Sequence, residues 1–189
     1  MSNKTKLIVI SAPSGTGKTS VIKEILKRNR DKLIFSVSAT TRKKRANEID
    51  GVDYYFISEE EFKEKIQNDE FIEWEQIYGD YYGTPKSEID RAKKENKHIL
   101  FELDVNGSLK LKKLFPEAHL IFIVPPGIEE LENRLKKRNT ETPESFQKRI
   151  NRAKMELEMA KYFDYEVKNY ELEKAIEEVN EIIQKIIGE

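Results

Sequence analysis

Residues Ser11 to Ser20 read SAPSGTGKTS and follow directly on the apolar run Leu7-Ile8-Val9-Ile10. A buried strand, a glycine-containing loop and a Lys-Thr pair opening a helix form the arrangement that cradles nucleotide phosphates. Gly15 and Gly17 let backbone N–H groups turn inward where a side chain would obstruct an oxyanion, and the positive end of the following helix favours the same charge. Ser14, Gly15, Thr16, Gly17, Lys18, Thr19 and Ser20 are therefore the expected triphosphate-binding loop. Lys18 is placed for the β- and γ-phosphates, and the Thr19 hydroxyl for Mg²⁺, which keeps most of its waters and takes few protein oxygens. Ala12 stands where the pattern has its leading glycine. A plain glycine turn between strand and helix is the competing reading, and the ordered succession of strand, glycines, Lys-Thr and helix argues against it.

Four further groupings carry chemistry. The stretch Ser38 to Phe56 holds Arg42, Arg45 and Tyr54 in one loop-and-strand unit, where two planar guanidinium forks and a phenol would clamp a second phosphate; an ordinary basic surface loop is the alternative, and Lys43 and Lys44 read as solvated. Glu73, in EFIEW, precedes GDYYGTP at Gly79 to Pro85. A carboxylate accepts two N–H bonds from the N1 and 2-amino edge of guanine, an edge adenine cannot match because its N1 is an acceptor. Tyr82 is expected at the acceptor phosphate and Thr84 at the base oxygen, with Trp74, Tyr78 and Tyr81 as packing residues. Glu102 and Asp104 lie near the end of an apolar strand and point the same way; there they orient a magnesium-bound water, contact the acceptor nucleoside, or cap the next helix. Arg134, Arg138 and Arg149 flank a polar break at Asn139 to Thr142, and their convergence would neutralise a transferring phosphoryl group. A charged, exposed helix pair is the alternative there.

The elements that must position these groups alternate between strand and helix. Strands are expected at Leu7–Ile10, Leu33–Val37, Tyr54–Ile57, from Phe71, at His98–Asp104 and at His119–Val124; the last two read as central and parallel. Helices are expected from Thr19 to about Arg30, from a capping box at Ser58 and Glu61 to about Asn68, around Lys86–Asn96, over Glu129–Lys137, and from Thr142-Pro143-Glu144 onward. Leu172, Ala175, Ile176, Val179, Ile182, Ile183 and Ile186 follow helical spacing and form an amphipathic helix on the sheet. The fold class is α/β: a parallel P-loop sheet flanked by helices, with an acceptor-binding insertion of mixed strands and a short helical lid. The expected boundaries are a core of 1–37, 86–133 and 154–189, an insertion of 38–85 and a lid of 134–153. His98 and His119 sit at strand starts, away from the ligand end, and read as structural.

The chain has 189 residues, which suits one domain with insertions. Its 34 basic and 35 acidic side chains interleave along the sequence, so no nucleic-acid partner is indicated. No cysteine is present, which removes disulfide and thiolate-metal chemistry and agrees with a cytoplasmic location. No segment has the length and apolarity of a membrane span. Monomer and homodimer are both compatible with the sequence, and the richness in Lys, Glu and Ile fits either heat adaptation or an AT-rich genome.

In this order the five groupings resemble guanylate kinases, from Leu7 to Asn169. The specific marks are the TTR-xx-R-xx-E-xx-G-x-DY-x-F array at Thr40 to Phe56, the GDYYGT run and the RNTET lid. The resemblance implies phosphoryl transfer from MgATP to GMP, with dGMP as a further acceptor. It implies that Lys18 and Thr19 serve MgATP; that Ser38, Arg42, Arg45, Tyr54 and Tyr82 hold the GMP phosphate; and that Glu73, Thr84 and Asp104 read guanine, with Glu102 beside them. Arg134, Arg138 and Arg149 become the catalytic lid arginines alongside Lys18 and Arg42, and Asn169 lies near the adenine. Lys43 and Lys44 replace a frequent proline, Asn106 a common glutamine and Asn139 a common glycine. A phosphopeptide-binding scaffold module and a kinase for another phosphorylated acceptor are the competing readings of the same scaffold.

Overall fold

A computed structural model of the chain describes residues 4–77, 79–136 and 143–188. The first half runs β1 (Leu7–Ser11), α1 (Lys18–Arg28), β2 (Leu33–Phe35), β3 (Ala39–Thr40), β4 (Tyr55–Phe56), α2 (Glu59–Gln67), β5 (Phe71–Ile77) and β6 (Asp80–Pro85). The second half runs α3 (Ser87–Lys94), β7 (His98–Glu102), α4 (Val105–Leu114), β8 (His119–Val124), α5 (Ile128–Lys136), α6 (Pro143–Glu158), β9 (Tyr165–Lys168) and α7 (Leu172–Gly188), with a 3-10 turn at Ala160–Tyr162.

The main sheet has five parallel strands in the order β2-β7-β1-β8-β9. Alternation along β1 sends its side chains to opposite faces. Ile8 and Ile10 meet Val21 and Ile25 of α1 and Ile176, Val179 and Ile183 of α7. Leu7 and Val9 meet Ile89 and Ala92 of α3 and Leu111 of α4. Helices thus cover both faces, which is why β1 and β7 read as unbroken apolar runs. The carboxyl ends of β1, β7, β8 and β9 all open on one edge, the place where α/β sheets bind ligands.

A second sheet, β4-β3-β6-β5, is drawn wholly from residues 39–85. It has its own small core, in which Phe62 of α2 stacks on Phe71 at 4.5 Å and on Tyr81 at 5.3 Å between ring centroids. The Ser58 hydroxyl accepts from the Glu61 amide at 3.1 Å and starts α2 as its spacing predicts.

Several boundaries differ from expectation, each for a local reason. β2 stops at Phe35, not Val37: the Ser36 amide still donates to the Leu100 carbonyl at 2.9 Å, but the Val37 amide is taken by the buried Glu88 carboxylate at 2.7 Å and the chain leaves the sheet. β7 ends at Glu102, and Asp104 instead caps α4. β9 escapes the sequence pattern because it is a four-residue edge strand with only Val167 fully buried. α4 escapes it because Gly107 and Val105 weaken its helical signature. The polar break at 139–142 lies outside the described residues. Among the described residues no helix is long and apolar enough to cross a membrane.

Candidate active site

The loop from Ala12 to Ser20 lines a cavity of about 380 Å³ at the carboxyl end of β1. Gly15 and Gly17 have φ of 90° and 92°, the left-handed backbone that glycine adopts without strain. A Cβ on Gly17 would also stand 3.0 Å from the Asn169 amide nitrogen. That nitrogen donates to the Thr16 carbonyl at 2.6 Å, so Asn169, at the end of β9, buttresses the loop from behind. The Thr16 hydroxyl is occupied within the loop, donating to the Pro13 carbonyl at 2.7 Å. The Thr16 amide turns to the same carbonyl at 3.2 Å, so Thr16 closes the loop on itself. Lys18 donates to the Leu103 carbonyl at 3.3 Å and pairs with Glu102 at 3.5 Å, and the Thr19 hydroxyl reaches the same Glu102 oxygen at 3.4 Å. These hard oxygen donors beside one ammonium suit a water-rich Mg²⁺ site, and no three-residue cluster of metal-ligating side chains competes with it among the described residues.

A second cavity of about 510 Å³ lies on the other side of Thr19 and Glu102. Ser38, Arg42, Arg45, Tyr54 and Tyr82 line it. Arg42 is held by both oxygens of Glu48, at 2.7 and 3.1 Å, and its guanidinium lies 5.5 Å from the Tyr54 ring centroid. Glu48 also accepts from the Arg45 amide at 2.8 Å, so one carboxylate fixes the fork and the loop that carries both arginines. The hydrogen bond from Arg42 holds Glu48 below the usual carboxylate range. Burial pushes the Tyr54 phenol up to about 12, so it stays a hydrogen-bond donor throughout the neutral range. Tyr54 and Tyr82 meet edge to face at 6.1 Å.

Glu73 and Thr84 are register partners on β5 and β6, and the Thr84 hydroxyl donates to Glu73 Oε1 at 2.6 Å. Across from them, Asp104 accepts the Gly107 amide through Oδ1 at 2.7 Å and Arg152 through Oδ2 at 2.6 Å. A Cβ on Gly107 would come within 2.9 Å of Glu73 Oε2 and 3.1 Å of Asp104 Oδ1, so a side chain there would push the two converging carboxylates from their places. Burial raises Glu73, against the bond from Thr84. Glu75, two residues along the strand, is raised to about 7 by burial and by Asp104. Arg152 also donates to Glu156 at 2.9 Å, and burial raises that carboxylate despite the bond.

The structure thus brings together Lys18, Thr19, Glu102, Asp104 and Arg149 around the first cavity, and the two arginines, two tyrosines and Ser38 around the second. Arg134 lies in the helical backbone of α5, and Arg138 lies outside the described residues. Glu48, Glu75, Arg152 and Glu156 were not singled out from sequence. Glu48 stands in the R-xx-E spacing and Arg152 one helical turn after Arg149, and those are the signals that point to them. His98 accepts from the Lys6 amide at 3.0 Å at the opposite end of β7, and its burial holds it below the ordinary imidazole range.

Known proteins resemble the chain along nearly its whole length. The family described as guanylate kinase matches residues 4–186. A guanylate kinase of Carboxydothermus hydrogenoformans is 44% identical over 96% of this chain and 88% of its own length. One of Prochlorococcus marinus is 44% identical over 97% of this chain and the whole of its own. The crystal structure of guanylate kinase from Anaplasma phagocytophilum superposes with a TM-score of 0.77 at 27% identity, covering 97% of this chain and 86% of that one. Matched almost end to end in sequence and in backbone path, the chain belongs to the guanylate kinase family.

Proposed function

We propose that this protein transfers the γ-phosphoryl group of MgATP to GMP, and also to dGMP, forming ADP and the nucleoside diphosphate. The observation that carries the reading is the shared wall: Thr19 and Glu102 border both the loop cavity and the arginine-tyrosine cavity. Two phosphates held on either side of one hydroxyl and one carboxylate are placed for in-line transfer, with positioning and charge neutralisation as the main sources of rate. Ser38, Arg42, Arg45, Tyr54 and Tyr82 are assigned to the acceptor phosphate, and Glu73, Thr84 and Asp104 to guanine. Lys18, with Arg149, Arg134 and Arg138, is assigned to the charge on the transferring group. The Thr19 hydroxyl would hold Mg²⁺ and Glu102 would orient a metal-bound water, and the bound ion would supply charge neutralisation to the transferring phosphates. A phosphate acceptor whose second pKa is about 6 is already deprotonated near neutrality, so the reaction requires no histidine. Closure of segment 134–153 over the cleft would exclude water as a competing acceptor. The proposed setting is the cytoplasm, as monomer or homodimer.

The test is ADP formation by purified protein with MgATP and, in parallel, GMP, dGMP, AMP, UMP, dTMP or no acceptor. Turnover with GMP and dGMP alone is expected. Equal turnover with all acceptors, or none with any, overturns the proposal.

A further inference from the structure

Glu73 and Glu75 are two residues apart on β5, with Glu73 Oε2 converging with Asp104 Oδ1 on Gly107. Glu75 Oε2 is buried and has no hydrogen-bond partner among the described residues. Asp104 therefore belongs to a half-buried group of carboxylates, in which a paired cation relieves mutual repulsion. Lys110 of α4 faces Glu73 and Glu75, but its ammonium donates to the Trp74 carbonyl at 3.2 Å. The cation that reaches Asp104 is Arg152, through Nη2 at 2.6 Å, arriving from α6 with its Nε donating to Glu156 at 2.9 Å. Two restraints then act on one carboxylate: the helix start through Oδ1 and the guanidinium through Oδ2.

We propose that Arg152 is a positioning residue for acceptor recognition, holding the Asp104 carboxylate oriented toward the nucleobase site beside Glu73. This rests on the assignment of Asp104 to the acceptor base. Without Arg152, Asp104 keeps only the Gly107 amide on Oδ1 and faces Glu73 and Glu75 with no guanidinium on Oδ2, so the carboxylate turns away from them. That displaces an acceptor that a base N–H requires. Arg152 follows Arg149 by one turn of α6, and Arg149 lines the phosphate-loop cavity. The same ion pair therefore ties the helix that serves the phosphates to the group that reads the base.

The experiment is steady-state kinetics on Arg152→Met, Arg152→Lys, Asp104→Asn and the Arg152→Met/Asp104→Asn double variant, varying GMP and ATP separately. In Arg152→Met the KM for GMP is expected to rise roughly tenfold or more, as for loss of a charge-assisted bond, with kcat falling less than KM rises and the KM for ATP within about twofold. Arg152→Lys should recover part of the GMP affinity, because it restores the charge without the fork. In the Asp104→Asn background, Arg152→Met should add less than about threefold, because its effect runs through the carboxylate already removed. An unchanged KM for GMP in Arg152→Met, or full additivity with Asp104→Asn, overturns the assignment while leaving the kinase reading intact. A wild-type protein that does not phosphorylate GMP overturns that reading and this assignment with it.

Discussion

Glu73 and Glu75 share one strand but stand in different company. Glu73 is tied to Thr84 and turned to the proposed base site, whereas Glu75 has a buried oxygen without a partner and Asp104 nearby. Glu73→Gln replaces an acceptor pair by one acceptor and one donor, and should erase most of the preference for GMP over AMP in kcat/KM. Sites built to hydrogen-bond a specific edge discriminate by roughly 10⁴ or more. A preference unchanged from wild type removes Glu73 from base recognition. Glu75 predicts a pH effect on stability instead. Its folded-state value, about 7, lies above its ordinary 4.5. The folded protein thus binds this proton more tightly than the unfolded chain, and the stability gained is full below about 4.5 and lost as pH rises through about 7. Glu75→Gln should remove that dependence. Scanning calorimetry at pH 5 and pH 8 is expected to show wild type losing ground to the variant at the higher pH, and a constant difference in Tm contradicts this.

Glu88 decides where β2 ends and where the second sheet begins. It is 2% exposed, accepts from the Val37 amide at 2.7 Å and the Tyr55 hydroxyl at 3.1 Å, and pairs with Arg91 at 2.7 Å. Arg91 in turn donates to the Phe35 carbonyl at 2.6 Å. α3 thereby fastens the chain at both crossings between the two sheets, since Val37 precedes the first and Glu88 follows the second. Glu88→Ala leaves Arg91 and the Val37 amide without their buried partner and should destabilise the fold by about 3 kcal/mol. The shift of the urea midpoint at constant m-value measures it, and a change under about 0.5 kcal/mol, typical of a surface site, shows that the junction is not held this way. The sequence marks this helix by its length and flanks. A glutamate between Ser87 and Ile89 shows no sign of burial until the partners from residues 35, 37 and 55 arrive.

The molecule as a whole is two sheets with separate cores and a cleft between their edges. Ligands held by the loop and by the insertion should each stabilise the fold according to their own occupancy. At a hundredfold excess over Kd each adds about 2.7 kcal/mol, seen as a rise in Tm. In Lys18→Met the rise with a non-hydrolysable MgATP analogue should vanish while the rise with GMP persists. Loss of both, with the unliganded Tm unchanged, shows that the two cavities do not bind independently.

Local chemistry was legible before folding. The phosphate loop, the β1 and β8 strands, the Ser58 cap and the amphipathic α7 are written in neighbouring residues, because backbone conformation and apolar periodicity are short-range properties. Glu73, Arg42 and Asp104 were visible as residue types in suggestive spacing. Their counter-ions were not: Glu48 held Arg42 from within the motif without a stated role, and Arg152 reaches Asp104 from 48 residues away. Asn169 was named through the family resemblance, but its bond to the Thr16 carbonyl, across a separation of 153 residues, is hidden from any local pattern. Which charge answers which depends on distances of a few ångströms between elements remote in the chain, and burial makes those pairings strong; tertiary packing sets both.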